Sequence, residues 1–121
     1  MKSMRVLYHD NCFDGVSSAA VFSRFYKECV ADAPIEYEGL THKAGQSIGP
    51  NSFGTEDNAI VDFKYSASEK LTWWFDHHQS AFLTQEDAEH WFRDDSGKKL
   101  FDPSFKSCTG FIAKIAKEKL P

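Results

Sequence analysis

The sequence predicts an α/β fold, a three-layer αβα sandwich built on a mainly parallel sheet. Three observations lead there. Short apolar runs of strand length alternate with segments of helical period along the 121 residues. Three of those runs end abruptly in clusters of Asp and His rather than in hairpin turns. Those clusters would converge on one edge of such a sheet, where parallel α/β folds place their ligands. A chain of this length supports one domain with one real core, so residues 1–121 are taken as a single unit.

Taken in order, Arg5 to Tyr8 is a buried-strand run that leads into the polar cluster His9-Asp10-Asn11-Cys12-Phe13-Asp14-Gly15. A helix is expected from about Val16 to Glu28, with Ala19, Phe22, Tyr26 and Cys29 on one face. Pro34 to Leu40 reads as a second strand, with Ile35 and Tyr37 alternating against Glu36 and Glu38. Thr41 to Asn58, rich in Gly, Ser, Asn and Pro, is the longest loop candidate. Ala59-Ile60-Val61 is a buried strand ending at Asp62, and Ser66 to Glu69 has the polar pattern of a helix start. Leu71 to Phe75 is apolar and aromatic and delivers Asp76-His77-His78. Thr84 to Asp87 is an N-terminal capping pattern for a helix to about Arg93. Asp94 to Gly97 is a turn, Lys99 to Phe101 a short strand, and Ser107 to Leu120 a closing helix striped by Ile112, Ile115 and Ala116.

Composition narrows the function. Eleven Phe and three Trp supply the volume for a packed interior. The net charge of −4 and the lack of a dense Lys/Arg run argue against grip on a long nucleic-acid duplex. They leave room for a short or small phosphorylated substrate, since bound cations supply local positive charge. Cys12, Cys29 and Cys108 are odd in number and form no CxxC pair, which suits a reducing compartment; Cys29 and Cys108 read as core residues, and cysteine catalysis is disfavoured. No apolar run is long enough to span a membrane and no signal-peptide pattern opens the chain, so a cytoplasmic location is expected.

In a parallel α/β sheet the ligand sits beyond the carboxyl ends of the strands. Three strand ends would bring His9, Asp14, Asp62, Asp76, His77 and His78 to one edge. Carboxylates and imidazoles grouped in this way are what divalent ions require, and a pair of such ions activates water and offsets phosphoryl charge. An isolated Asp-His-His tripeptide is a solvated loop as easily as a site; its place after an aromatic strand, with Asp62 at an earlier strand end, favours function. Trp73 and Trp74 are expected in the core rather than as base-stacking platforms, and His42 and His90 on the surface.

These motifs, in this order, resemble the DHH phosphoesterases, a family of single-strand exonucleases, nano-RNA hydrolases, cyclic-dinucleotide phosphodiesterases, pyrophosphatases and polyphosphatases. The likeness rests on Tyr8 to Gly15 leading into Ser17-Ser18-Ala19-Ala20, on Ile60-Val61-Asp62-Phe63, on Phe75 to Phe82, and more weakly on Phe101-Asp102-Pro103 with Ser107-Cys108-Thr109-Gly110. It implies that Asp62 bridges two ions, that His77 binds one, and that His9 and Asp14 complete the shell. His78 faces substrate phosphate, and Asp76 ligates or orients its neighbours. Asp62, Asp76 and His78 are thus the implied catalytic set, and His9, Asp14, Asp62, Asp76 and His77 the implied metal ligands. Ser107 and Thr109 fall where the family places small hydroxyl residues.

The implied cofactor is a divalent metal, Mn²⁺ first and Mg²⁺ as the alternative. The implied partner is a small phosphorylated substrate or a short or cyclic oligonucleotide. The first motif departs from the commonest family pattern: Phe13 stands where a second aspartate is usual, and Asn11 or Asp10 is left to take that role or the shell has one protein ligand fewer; His9-Asp10-Asn11-Cys12-Phe13-Asp14-Gly15 resembles the family's variant His-x-Asn-Cys-x-Asp-Gly, which implies a subtype and not a loss. The family's last aspartate ligand and C-terminal substrate-binding domain have no counterpart before Pro121. Two rival readings stand beside this one: a regulatory module that holds metal or phosphate without turnover, and a structural zinc site, which the carboxylate-rich shell disfavours.

Overall fold

In the computed structural model, which describes residues 3–10, 12–40, 52–54 and 56–119, strands β1 (Met4–His9), β2 (Ile35–Leu40), β3 (Asp57–Val61), β4 (Trp73–Asp76) and β5 (Lys99–Phe101) alternate with helices α1 (Phe13–Cys29), α2 (Gln85–Arg93) and α3 (Cys108–Lys119). The strands form one sheet in the order β2-β1-β3-β4-β5, with every pairing parallel. This is the expected three-layer α/β architecture.

The layers result from alternation along the strands. Met4, Val6, Ala59, Val61, Trp73 and Phe75 point to one face, where Phe22, Phe25 and Tyr26 of α1 and Phe111, Ile112 and Ala116 of α3 cover them. Leu7, Ile60 and Trp74 point to the other, under Tyr65, Leu71, Ala81 and Phe82 and the Trp91 ring of α2. β4 is therefore buried on both faces, and Trp73 and Trp74 are core residues as expected. The Trp74 indole donates to the Phe63 carbonyl at 2.9 Å, tying the segment after β3 to the sheet. Helix α2 begins as its sequence indicates, with the Thr84 hydroxyl accepting from the Asp87 amide at 3.1 Å.

Four expectations change. No helix starts at Ser66 to Glu69. The Ser66 and Ser68 hydroxyls instead accept from the amides of Ser68 and Lys70, local bonds that compete with a helix. Tyr65 and Leu71, at either side, are both buried on the sheet. Cys29 is exposed rather than core: the 17-residue α1 is about 25 Å long, whereas the six-residue β1 beneath it spans about 20 Å, so the last turn overhangs. Tyr37 is exposed because β2 is the edge strand, and of that strand only Leu40 is buried. His90, expected on the surface, is half-buried, with its Nδ1 2.6 Å from the hydroxyl of the buried Tyr65.

The loop expected over Thr41 to Asn58 falls largely outside the described residues, as do Asn11, His42 and Leu120. Within it Asp57 and Asn58 already belong to β3. The Asn58 amide donates to the carbonyls of Gly54, Glu56 and Lys70 and anchors the start of that strand. Among the described residues no helix is long and apolar enough to cross a membrane.

Candidate metal centre

The strand order reverses direction between β1 and β3, and their carboxyl ends carry His9 and Asp62. This is the crevice where parallel sheets place ligands, because the connections leave the two strands on opposite sides. Asp62 is the first residue past β3 and is 1% exposed. Its φ of 57° lies in the left-handed region, which Asp tolerates better than most side chains but still at about 1–2 kcal/mol.

Asp14 comes from the first turn of α1 and is fixed by the start of α3. Its Oδ1 accepts from the Thr109 amide at 3.0 Å and the Thr109 hydroxyl at 2.7 Å, and its Oδ2 from the Cys108 amide at 2.9 Å. Burial alone would raise the Asp14 pKa; these three donors outweigh it, and the group lies below the usual carboxylate range. Thr109, singled out by sequence position, thus positions Asp14. Ser107 does something else: its hydroxyl accepts from the Gly110 amide at 3.0 Å at the start of α3.

His77 and His78 are set by the chain beyond β4. The Phe105 carbonyl lies 3.0 Å from His77 Nδ1. A carbonyl only accepts, so Nδ1 carries the proton, and in the neutral ring Nε2 presents a lone pair. That Nε2 is 3.3 Å from Asp62 Oδ1 and 3.4 Å from Asp14 Oδ2. Asp76, fully buried, accepts on Oδ1 from the His77 amide at 2.8 Å and from His78 Nδ1 at 2.6 Å. That hydrogen bond raises the His78 pKa against the effect of burial. His9 Nδ1 is 3.7 Å from Asp62 Oδ2, and burial, followed by the charge of His78, lowers the His9 pKa.

Several polar atoms then have no hydrogen-bond partner among the described residues: both oxygens of Asp62, Oδ2 of Asp76 and Nε2 of His77. Buried polar atoms left in this way lose free energy unless something binds them. Burial and then the charge of Asp14 push the Asp62 pKa up to about 7. Donor atoms of Asp62, Asp76, His77 and His78 lie within 4.8 Å of one another, and so do those of His9, Cys12 and Asp62. Two donors on one ion at about 2.1 Å are roughly 3.0–3.4 Å apart, close to the separations around His77. Asp62 belongs to both groups. The cluster has the donors, the spacing and the unsatisfied atoms to hold a metal ion, and the His77 tautomer is the one a metal needs.

All six residues indicated by sequence, His9, Asp14, Asp62, Asp76, His77 and His78, are brought to this one edge. Asp102 is not: its Oδ1 accepts from the amide and hydroxyl of Ser104 in an exposed turn. Sequence missed Cys12 as a donor and missed Lys64 and Ser80. Those two, with His9, Asp76 and His78, line a cleft of about 320 Å³ over the cluster. Position alone signalled them, since each comes two or four places after a strand-end acidic residue. Cys108 is no nucleophile: it is buried, its thiol donates to the Phe75 carbonyl, and burial pushes its pKa well up.

The fold and the cluster define a class: a parallel α/β domain with a carboxylate–imidazole centre at the carboxyl edge of its sheet. No family model, curated protein or solved structure matches the chain.

Proposed function

We propose that this domain is a metal-dependent phosphoesterase that hydrolyses a P–O bond of a small phosphorylated substrate or of a short or cyclic oligonucleotide. The observation that carries the reading is the approach of His77 Nε2 to Asp62 Oδ1 at 3.3 Å, both without a hydrogen-bond partner among the described residues, in a chain whose motif order resembles the DHH phosphoesterases. Asp62, His77, Asp14 and His9 would hold divalent ions, Mn²⁺ first and Mg²⁺ second. Ions so held would supply Lewis-acid stabilisation of phosphoryl charge and lower the pKa of a water. Asp76 orients both histidines through one oxygen. His78, whose pKa the hydrogen bond to Asp76 raises, would donate to a phosphoryl oxygen in the cleft.

Divalent ions should stabilise the protein by neutralising the buried carboxylates. At about 100 times Kd the gain is about 2.7 kcal/mol, or roughly 10 °C in Tm for a chain of this size. Thermal melts with millimolar Mn²⁺ and with chelator measure it, and an unchanged Tm would remove the metal reading. A panel of phosphodiesters and monoesters, with and without Mn²⁺, tests the chemistry. A full metal-induced shift with no turnover on any of them would favour the regulatory module instead.

Lys64 brings a cation to a cleft otherwise lined at its base by Asp76 and two histidines. A charged hydrogen bond to phosphate contributes about 1.5–3 kcal/mol, so Lys64→Gln should lower kcat/KM about ten- to hundredfold. The Mn²⁺-induced shift should stay intact and Lys64→Arg should recover part of the loss. Unchanged kinetics in Lys64→Gln would place the lysine outside the substrate's reach.

A further inference from the structure

We propose that Cys12 is a metal ligand, its sulfur completing a second, softer ion position with His9 and Asp62. The inference rests on the metal-centre reading above and deepens it. Donor atoms of His9, Cys12 and Asp62 all lie within 4.8 Å of one another. The independent support is Asp62, which is 1% exposed and whose two oxygens have no hydrogen-bond partner among the described residues. One of them, Oδ1, faces His77 at 3.3 Å; the other, Oδ2, faces His9 at 3.7 Å. A carboxylate placed in this way serves two positions, and Cys12 is the sulfur beside the second.

The placement of Cys12 is not explained by helix capping or by core packing. It is the N-cap residue of α1, with extended φ and ψ of −140° and 128°, yet its side chain makes no capping hydrogen bond. Ser, Thr, Asp or Asn serves that position far better. It is half-buried, not sealed in the interior like Cys108. A cysteine that neither caps nor packs, but stands with an imidazole and a buried carboxylate, has the chemistry of a ligand. On binding, the thiol proton leaves to solvent and the sulfur forms the bond to the ion.

The consequence is two unlike positions. Asp14, Asp62 and His77 offer oxygen and imidazole, the donors suited to Mn²⁺ or Mg²⁺. His9, Cys12 and Asp62 add sulfur, which favours Zn²⁺ or Co²⁺ over Mg²⁺. The protein should therefore take a hard and a soft ion side by side and retain Zn²⁺ or Co²⁺ against an excess of Mg²⁺.

The test is the absorption spectrum of the Co²⁺-loaded protein. A cobalt–sulfur bond gives a near-ultraviolet charge-transfer band that oxygen and nitrogen ligands do not. Wild type should show it, Cys29→Ser should keep it, and Cys12→Ser should lose it while its Zn²⁺ affinity falls about tenfold or more. Serine is close in size and a strong N-cap, so Cys12→Ser should fold. As a measurement on unaltered protein, Co²⁺ should protect one thiol from a disulfide reagent, and peptide mapping should identify it as Cys12. If Co²⁺ raises Tm but gives no such band, or if the band survives Cys12→Ser, the sulfur ligand is overturned and the metal centre stands. If Co²⁺, Zn²⁺ and Mn²⁺ all fail to raise Tm, the metal centre falls and this inference with it.

Discussion

Asp62→Asn should raise the Tm of the metal-free protein and at the same time abolish its stabilisation by divalent ions. The two effects share one cause. Asp62 is buried with neither oxygen hydrogen-bonded among the described residues, and Asp14 stands close enough to oppose its ionisation. Its pKa of about 7 in the fold lies above the ordinary carboxylate value of 3.8. A raised folded pKa means stability that is fully present below the unfolded value and lost as pH rises through the folded one. The gain from Asp62→Asn should accordingly be small near pH 4 and full above pH 7.

Asparagine suits the site in two further respects. It tolerates the left-handed φ of 57°, and its amide can donate to the His77 Nε2 lone pair that Asp62 Oδ1 faces at 3.3 Å. Relief of a strained functional position commonly yields about 0.5–2 kcal/mol, and at the upper end this is roughly 4–8 °C here. On the proposed phosphoesterase reading, hydrolysis should fall by about 10² or more, since ions held by one ligand fewer would no longer keep the reacting groups in line. Melts at pH 5 and pH 8, with and without Mn²⁺, separate the outcomes. A variant less stable than wild type without metal at pH 8 would show that the Asp62 charge is satisfied, and the centre would have to be redrawn.

The sheet and the site edge were legible in the sequence for the same reason. Buried parallel strands read as apolar runs, and their carboxyl ends are where such sheets place ligands, so Asp and His at those ends mark the candidate edge. Ala59 to Val61 with Asp62 after them, and Leu71 to Phe75 with Asp76, show the pattern most plainly. The features that stayed hidden depend on contacts distant in sequence. The Ser66 to Glu69 segment has a good helix start, but burial of Tyr65 and Leu71 on the sheet outweighs it. Cys29 keeps the helical period of Ala19, Phe22 and Tyr26, yet period does not tell where the sheet beneath ends. Cys12 was weighed as a nucleophile and not as a donor, because its neighbours in the centre, His9 and Asp62, come together only when β1 and β3 pair. Asp14 was indicated as a ligand, but its hold on the first amides of α3, 94 and 95 residues away, could not be read from spacing.

Gly15→Ala should be among the most damaging single-methyl changes in the molecule. Elsewhere in a helix the same change stabilises by about 0.5–1 kcal/mol, because Gly has the greater freedom to lose. Here a Cβ would collide with the His9 carbonyl oxygen and lie 2.8 Å from its carbon. Both are backbone atoms at the end of β1 and cannot rotate away. The first turn of α1 must then withdraw from the strand. Asp14, the residue before Gly15, withdraws with it and pulls against the amides of Cys108 and Thr109, while His9 is pressed from the other side. Overpacking of this kind opposes folding by about 1–3 kcal/mol, which lowers Tm by roughly 4–12 °C, and a ligand displaced by about 1 Å loses about 10² in rate. Gly110→Ala is the matched control. It is also in a helix, and its Cβ would meet the Ser107 hydroxyl at 3.1 Å, a side chain that gives way. Gly110→Ala should leave Tm and the Mn²⁺-induced shift near wild type, whereas Gly15→Ala should lower Tm and lose most of the shift. Equal Tm values for the two variants would mean that α1 does not pack against the end of β1 as closely as this, and that Asp14 and His9 are held in place by something other than the glycine between them.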